Sequence, residues 1–299
     1  MKIGVSTYSY SRLVAPGKMS IFDVVQKVKE MGFGSIEFAG LQVPEGVSIE
    51  SAAVKLRELC ASNGLVIASY TIGADLLNGS GGNLGKEIER LRSEVRIAKL
   101  LNAPLMRHDA TRGFSDGHLG ARGFTDALPI LIEGCRAVTS YAESVGIRTM
   151  VENHGYFCQD SERVEQLVNG VNHANFGVLL DIGNFLCVDE DTAKAVARLI
   201  PYVFHVHIKD FHVKSGNEPD PGSGWFQSRA GNYLRGSVIG HGNVPVQQCL
   251  RLIRRAGYDG VVSIEFEGME DPLTGIGVGR DNLARFLRSA GAGRIHAHK

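Results

Sequence analysis

Short apolar runs alternate with longer amphipathic runs along the whole chain. The short runs are rich in β-branched residues and predict eight strands, at residues 2–7, 35–38, 66–71, 105–108, 148–152, 177–181, 203–209 and 261–266. The longer runs repeat their apolar residues with a helical period and predict helices near residues 20–31, 50–62, 86–101, 126–145, 160–170, 190–199, 244–256 and 280–289. Strands that alternate with helices indicate a parallel sheet.

Glycines punctuate this pattern. A glycine follows four of the predicted helices and precedes the next strand, at Gly32, Gly64, Gly146 and Gly257. Such a residue ends a helix in a left-handed conformation and allows a short connection. Eight βα units favour a closed barrel over a doubly wound open sheet, since no G-x-G-x-x-G follows the first strand. We predict an α/β fold, a single-domain (β/α)8 TIM barrel over residues 1–290, with a C-terminal tail at 291–299.

Three of the connections that follow strands are long, at residues 8–19, 109–125 and 211–243. The last of these is rich in Gly, Pro and Asn and contains Trp225, the only Trp of the chain. We expect it to be a loop. In a barrel, these connections lie at the C-terminal face, where active sites are built.

The composition narrows the class of protein. Hydrophobic residues make up 43% of the 299 residues and charged residues 21%, as in ordinary soluble domains. The net charge of zero argues against a nucleic-acid partner. The N-terminus lacks the apolar stretch of a signal peptide, and no run of about 18 apolar residues predicts a membrane span. The five Cys form no C-x-x-C pair, which indicates free thiols in a reducing compartment. We therefore expect a cytoplasmic protein with no membrane partner.

Ionisable side chains stand at the ends of the last four predicted strands. Glu152 ends the fifth strand, Asp181 ends the sixth, and Glu265 lies in the eighth. The seventh strand carries His205 and His207 on one side, and His207 is preferred because it lies nearer the C-terminal end. Strand ends converge at the mouth of a barrel, and buried carboxylates that converge need a counter-charge. A divalent cation supplies one.

The predicted ligands are three carboxylates and one imidazole, namely Glu152, Asp181, His207 and Glu265. Oxygen-rich ligation with a single nitrogen suits Mn²⁺, Mg²⁺ or Co²⁺, and Zn²⁺ is an alternative. We predict one divalent metal ion, with Mn²⁺ as the first choice.

Seven further residues near the strand ends are candidates for binding substrate: Glu37, Tyr70, His108, His154, Asn184, Lys209 and Trp225. Three have an alternative role, because Glu37 and Lys209 could form ion pairs and His108 could be a polar strand cap. Glu267 and Glu270 are expected to be solvated loop charges. Phosphorylated and free sugars both stay open, because five arginines could hold a phosphate: Arg107, Arg112, Arg229, Arg235 and Arg280.

Five sequence phrases resemble the xylose isomerase-like TIM barrel superfamily, and more narrowly its sugar phosphate isomerase/epimerase branch. They are MVENHG at 150–155, LDIGN at 180–184, HVHIKD at 205–210, GHGNV at 240–244 and GYDGVVSIE at 257–265. That branch includes ketose 3-epimerases, hydroxypyruvate isomerase, and inosose isomerases and dehydratases. The resemblance covers nearly the whole chain, and its motifs are specific to the superfamily but not to one substrate. It assigns the same four residues as ligands of a single metal ion.

The resemblance also implies a mechanism. The ion would bind a carbonyl and a neighbouring hydroxyl oxygen of the substrate and stabilise the enediolate that forms when a proton leaves the adjacent carbon. Glu152 and Glu265 would face opposite sides of that carbon as the acid/base pair. One departure argues against a strict ketose 3-epimerase. Where those enzymes typically carry a His and an Arg, this chain has Asn184 and Val213.

We predict a divalent-metal-dependent isomerase or epimerase that acts on a small sugar, keto-sugar or cyclitol. The main alternative is a dehydratase or lyase, which would remove the same proton and then expel a β-hydroxyl group. A nuclease of the endonuclease IV type is remote, because its three-metal cluster needs ligands where this chain has Tyr70 and Asn184. A catalytically silent binding barrel is a further alternative. The resemblance also predicts a homo-oligomer, either a dimer or a tetramer.

Overall fold

A computed structural model describes residues 1–292 of the chain, so that residues 293–299 of the predicted tail lie outside the described residues. Within that part, the strands are β1 (Lys2–Ser6), β2 (Ser35–Ala39), β3 (Val66–Ile72), β4 (Leu105–His108), β5 (Arg148–Glu152), β6 (Phe176–Asp181), β7 (Val203–Ile208), β8 (Asp210–Lys214), β9 (Phe226–Gln227), β10 (Tyr233–Ser237) and β11 (Val261–Ile264).

Eight of these strands form one closed barrel, in the order β1-β11-β7-β6-β5-β4-β3-β2. Strand β1 closes it by pairing in parallel with β2 on one side and β11 on the other, which places Gly4 beside Ser35 and Ser263. Each predicted strand corresponds to one strand of this barrel. The predicted (β/α)8 TIM barrel is therefore confirmed, and the doubly wound alternative is excluded.

Helices surround the barrel. They are α1 (Ser11–Val14), α2 (Ile21–Glu30), α3 (Ile49–Ser62), α4 (Gly79–Gly82), α5 (Leu84–Leu101), α6 (Phe124–Ser144), α7 (Ser161–Val171), α8 (Thr192–Leu199), α9 (Val246–Arg255) and α10 (Pro272–Ala292). The last helix begins at Pro272, earlier than the predicted start near residue 280. In the part of the chain that the structure describes, no helix combines the length and apolarity needed to cross a membrane.

The helix α2 illustrates how the sequence builds this outer layer. The Ser20 hydroxyl accepts a hydrogen bond from the Asp23 amide, and the Asp23 carboxylate accepts one from the Ser20 amide, which forms a capping box. Val24, Val25 and Val28 then fall on the buried face against the barrel. Because the core lies between barrel and helices, the strand ends form a rigid platform for polar side chains.

The prediction of a plain loop at residues 211–243 is wrong. Strand β10 pairs antiparallel with β8 and with β9, and the three form a small sheet that packs Phe211 and Leu234 against Cys187. The strands are short, and Gly236 inside β10 is not a turn residue. A Cβ at Gly236 would lie 2.3 Å from the Glu267 carbonyl oxygen, so a close backbone approach requires glycine there.

Asp210 anchors the segment of residues 211–243, which contains the small sheet, to the barrel. Its carboxylate accepts backbone hydrogen bonds from Gly240 at 2.8 Å, from Gly242 at 3.0 Å and from Val244 at 3.0 Å. A fourth comes from the Phe211 amide at 2.9 Å. A Cβ at Gly242 would lie 2.2 Å from the Asp210 Oδ1 atom. The phrase GHGNV is thus explained by a loop that wraps around one buried carboxylate.

We expect Asp210→Ala to lower the free energy of unfolding by about 2–4 kcal/mol, because it leaves several backbone N–H groups without their acceptor. Urea denaturation followed by circular dichroism measures it. The control is Asp220→Ala, which removes a single bond to the Gly222 amide in an exposed loop and should change stability by at most about 0.5 kcal/mol. Equal losses in the two variants would contradict the anchoring role of Asp210.

Candidate metal centre

Four side chains meet at the C-terminal end of the barrel, and each offers one ligand atom within 4.8 Å of the others: Glu152, Asp181, His207 and Glu265. The His207 Nδ1 atom lies 3.7 Å from Glu152 Oε1, 3.9 Å from Asp181 Oδ2 and 3.6 Å from Glu265 Oε1. An octahedral ion with bonds of about 2.1 Å spaces neighbouring donors by about 3 Å and opposite donors by about 4 Å. The distances from His207 Nδ1 lie between these two values, so the four donors are close enough together to share one small divalent ion.

Two of these donor atoms, His207 Nδ1 and Asp181 Oδ2, are buried and make no hydrogen bond of good geometry among residues 1–292, although the Lys209 Nζ atom lies 3.2 Å from Asp181 Oδ2. The other oxygen of Asp181, Oδ1, accepts hydrogen bonds from the Gly183 amide at 2.7 Å and the Asn184 amide at 3.0 Å. The turn encoded by LDIGN thus aims Oδ2 at the cluster. Buried polar atoms are rarely left unpaired, and a cation would satisfy both of these.

Glu37 lies beneath the cluster, fully buried on β2. Its Oε1 accepts a hydrogen bond from His207 Nε2 at 2.8 Å, and its Oε2 accepts one from the Ser69 hydroxyl at 2.7 Å and lies 3.0 Å from His205 Nε2. A carboxylate that holds Nε2–H leaves Nδ1 as the ligand atom. Glu37 does not reach the mouth of the barrel, where a substrate would bind, because His207 lies between Glu37 and that space. His205 lies low in the barrel, as predicted.

The ammonium group of Lys209 sits among the carboxylates. Its Nζ atom lies 2.6 Å from Glu265 Oε2, 3.2 Å from Asp181 Oδ2 and 3.0 Å from Glu267 Oε1. Lys209 thus forms the ion pairs that were predicted as its alternative role. Glu267 belongs to the site, so the prediction that it is a solvated loop charge is wrong. Burial opposes the charge of Lys209, but the carboxylates outweigh it and hold its pKa well above the usual value. Burial and the neighbouring carboxylates raise the pKa of Asp181 to about 6.

Arg107 provides a second buried cation. Its guanidinium contacts the Glu152 carboxylate and lies 2.9 Å from Asp109 Oδ1, which also pairs with His154 Nδ1 at 2.9 Å. Burial opposes ionisation of Glu152, but Arg107 and His207 outweigh it and lower the pKa of Glu152. Glu152 is therefore ionised near neutral pH and can act as a base.

The side chains of β4 explain why Arg107 reaches the site and His108 does not. Arg107 stands beside Met150 and His108 beside Val151 in the strand register. Because side chains alternate, Arg107 shares the inner face with Glu152, whereas His108 faces the helices. The His108 ring is fully buried, and its Nδ1 contacts the Asp109 carbonyl at 2.8 Å. His108 does not line the cavity that opens above the four clustered residues. From the sequence, Arg107 was a candidate only for holding a phosphate, and Asp109 had no predicted role.

A cavity of about 580 Å³ opens above the cluster, and its walls include Glu152, His154, Lys209 and Glu265. The remaining predicted substrate residues are placed differently. Asn184 donates its amide to Glu152 Oε1 at 3.2 Å and accepts from Lys209 Nζ at 3.2 Å, so that it joins two residues of the site.

Two predicted aromatic contacts lie away from the cluster. Tyr70 lines the cavity, but its hydroxyl donates to Glu94 Oε2 at 2.7 Å rather than to the cluster. Trp225 lies outside the cavity, with its ring centre 5.3 Å from the Arg235 guanidinium carbon. Trp225 therefore does not form a wall of this cavity.

Comparisons with known proteins agree with this architecture. The model of the family described as xylose isomerase-like TIM barrel matches residues 25–289. The chain therefore belongs to that family. It is 25% identical over 146 residues to an inosose dehydratase of Geobacillus thermodenitrificans, a match that covers 48% of this chain and 47% of that protein. The match thus spans about half the length of the curated relatives.

Solved structures show the same fold over nearly the whole chain. An L-ribulose 3-epimerase superposes with a TM-score of 0.73 at 15% identity, covering 99% of each chain. A xylose isomerase-like TIM barrel protein from Mycobacterium smegmatis, solved in complex with magnesium, superposes with a TM-score of 0.72 at 20% identity, covering 97% of this chain and 98% of that one. At these identities the likeness concerns the fold.

We expect metal binding to weaken as the pH falls through the neutral range, because protons compete with the ion for His207, and to weaken more steeply below about 6, where protons also compete for the Asp181 carboxylate, whose pKa is raised to about 6. Burial opposes the protonation of His207, but Glu37 and Glu265 outweigh it and raise the pKa of His207 well above its usual value. Binding of Mn²⁺ near neutral pH should therefore release a proton. Calorimetry in buffers of different ionisation enthalpy counts the protons, and binding without proton release would contradict this assignment.

We expect Glu37→Gln to weaken Mn²⁺ binding by about 10–100-fold, because it removes the carboxylate that orients the imidazole of His207. Isothermal titration calorimetry measures the dissociation constant. The control is Glu87→Gln, a buried carboxylate paired with Arg90 outside the cluster, which should leave Mn²⁺ binding unchanged. An unaltered dissociation constant in Glu37→Gln would contradict the role of Glu37 in orienting the imidazole of His207.

Proposed function

We propose that this chain is a divalent-metal-dependent enzyme that removes and returns a proton beside the carbonyl group of a small sugar, keto-sugar or cyclitol, as an isomerase or epimerase. One observation carries the proposal. Glu152 and Glu265 reach the same cluster from strands that are separated by β6 and β7 in the barrel. They can therefore approach a substrate carbon from two sides.

The two glutamates are in different electrostatic environments. Glu152 contacts the Arg107 guanidinium and the Asn184 amide, which favour its ionised form and suit it to accept a proton. Burial opposes the ionisation of Glu265, but the ammonium of Lys209 at 2.6 Å and His207 outweigh it and lower the pKa of Glu265. Glu265 therefore starts ionised as well and can serve as the base when the reaction runs in the opposite direction. A divalent ion held by the four ligands would polarise the substrate carbonyl and make the adjacent proton more acidic. Mn²⁺ is our first choice, and Mg²⁺, Co²⁺ or Zn²⁺ would suit the same ligands.

The named relatives support this class of reaction. They include an enzyme described as an L-ribulose 3-epimerase and another described as an inosose dehydratase. Epimerisation moves a proton beside a carbonyl, and a dehydratase that expels a β-hydroxyl group begins by removing such a proton. We also propose a carbohydrate as the partner of the chain, no nucleic-acid partner, a homo-oligomeric state and a cytoplasmic location.

A dehydratase is the second candidate, and Lys209 favours it. Its buried ammonium lies beside Glu265 and Glu267 at the cavity wall. A proton donor in that place can protonate a hydroxyl group as it leaves the substrate. The curated relatives named as inosose dehydratases agree with this alternative. Mass spectrometry of the product separates the two reactions, because only dehydration lowers the mass by one water.

We expect the Mn²⁺-loaded protein to incorporate solvent deuterium beside the carbonyl of at least one member of a panel of ketoses, inososes and keto-sugars. Glu152→Gln should slow this exchange by at least about 100-fold, because it removes the base. Proton NMR in D2O follows the exchange. Glu94→Gln changes a carboxylate on the wall of the same cavity but outside the cluster and serves as the control.

The metal content of each variant has to be measured, so that loss of the base is separated from loss of the ion. Undiminished exchange by Glu152→Gln would remove Glu152 from the mechanism. The absence of exchange for every substrate of the panel, with Mn²⁺ bound, would contradict the proposed function.

A further inference from the structure

A second cavity, of about 270 Å³, opens beside the candidate metal centre, and we call it the side cavity. Four residues line both this space and the cavity above the cluster: Arg112, His154, Lys209 and Glu267. The two spaces therefore meet at a shared boundary. A ligand that reaches past these four residues would place one part at the cluster and another part in the side cavity.

Aromatic rings form much of the side-cavity wall. Tyr156, Phe211 and Phe226 line it, and the rings of Phe211 and Phe226 pack edge to face with their centres 5.6 Å apart. Gln159 and Asn184 add polar groups to the same wall. Aromatic surface with a few polar groups suits a ring that buries its flat face and keeps polar substituents at its edge.

The wall is held in place by its own hydrogen bonds. Tyr156 has a φ of 64°, a conformation that bulky residues rarely adopt. Its amide donates to Gln159 Oε1 at 2.6 Å, and its hydroxyl donates to the Gln227 carbonyl at 3.0 Å. These bonds connect the loop after β5 to strand β9 of the small sheet. The insertion at residues 210–237 thus builds one side of the cavity, together with the barrel.

Size and charge decide which group the side cavity fits. A cavity of about 150 Å³ is enough for benzene, so the side cavity has room for a six-membered ring. Among the cations that line it, Lys209 and His154 are already paired with carboxylates. Arg112 is exposed and forms no ion pair among the described residues, because Glu267 is already paired with Lys209. Its guanidinium can therefore donate hydrogen bonds to the hydroxyl groups at the edge of a ring that rests on the aromatic wall.

We propose that the side cavity binds a neutral six-membered ring, so that the substrate is a keto-sugar or cyclitol joined to a second ring. The assignment of the other half to the cluster rests on the proposed function, whereas the ring site itself rests on the side cavity alone. The substrate class is then a glycoside rather than a free monosaccharide.

The test compares phenyl β-D-glucopyranoside with methyl β-D-glucopyranoside, which lacks the second ring, on the metal-free protein. We expect the phenyl compound to bind about three- to tenfold more tightly, the gain typical of one aromatic contact. Phe226→Ala should abolish that gain and leave the affinity for the methyl compound unchanged. The control is Val213→Ala, an exposed residue of the same small sheet that lies outside the side-cavity wall. Ligand-observed NMR measures the affinities of each variant for both compounds.

Equal affinities for the two glucosides, or a gain that survives Phe226→Ala, would overturn the proposal. Crystals of the wild-type protein soaked with the phenyl compound provide a second measurement that needs no variant. The phenyl ring should lie between Tyr156 and Phe226, and a ring bound elsewhere would also overturn it. If the ring binds as expected but the protein takes up no Mn²⁺, the proposed function fails and the side cavity stands.

Discussion

The balance of charge inside the barrel mouth is the constraint on which the rest of the structure depends. Three buried carboxylates, those of Glu152, Asp181 and Glu265, converge on one point. Removing such charges from water costs several kcal/mol each unless opposite charges lie close by. Lys209 and Arg107 compensate part of this charge. A divalent ion at the shared point would complete the balance, and under the proposed function it would also polarise the substrate carbonyl.

The neighbouring residues hold these charges in position. Glu37 fixes the imidazole of His207 from below, and the turn after Asp181 occupies one carboxylate oxygen and leaves the other directed at the cluster. Asn184 joins Glu152 to Lys209. All of these residues lie on barrel strands or directly after them, where the closed sheet allows little movement. The aromatic part of the side cavity comes instead from the loop after β5 and from the small sheet inserted after β7, and in this fold variation between such connections is what changes specificity.

The barrel and the convergence of the four predicted ligand residues could be predicted from the sequence because both follow from strand ends. Apolar periodicity located the strands, and parallel strands in a barrel bring their C-terminal residues together. It was harder to predict which of two neighbouring residues on a strand faces the site. His108 ends β4 and was predicted to bind substrate, although alternation places Arg107 on the inner face. Glu37 was predicted as a substrate ligand because it lies near the end of a strand. In the structure it lies below His207, and a single sequence does not reveal how deep in the barrel a strand residue sits.

The insertion after β7 was the least predictable part. Its strands are short, and its glycines serve close backbone contacts as well as turns, so its composition resembled that of a loop. Trp225 attracted attention as the only Trp, yet it packs on Arg235 outside the cavity, while Phe226 beside it lines the side cavity. Adjacent residues in an extended segment face opposite ways, and the pairing of β9 with β10, which places Phe226 beside Leu234, decides which of them turns inward.

Anomalous diffraction from crystals soaked in Mn²⁺ tests the central claim most directly. We expect one strong peak within bonding distance of Glu152, Asp181, His207 Nδ1 and Glu265, with the ammonium of Lys209 beside it. A mouth that stays empty of Mn²⁺ at saturating concentration, or a peak that shares none of these atoms, would contradict the claim that the buried carboxylates exist to hold an ion.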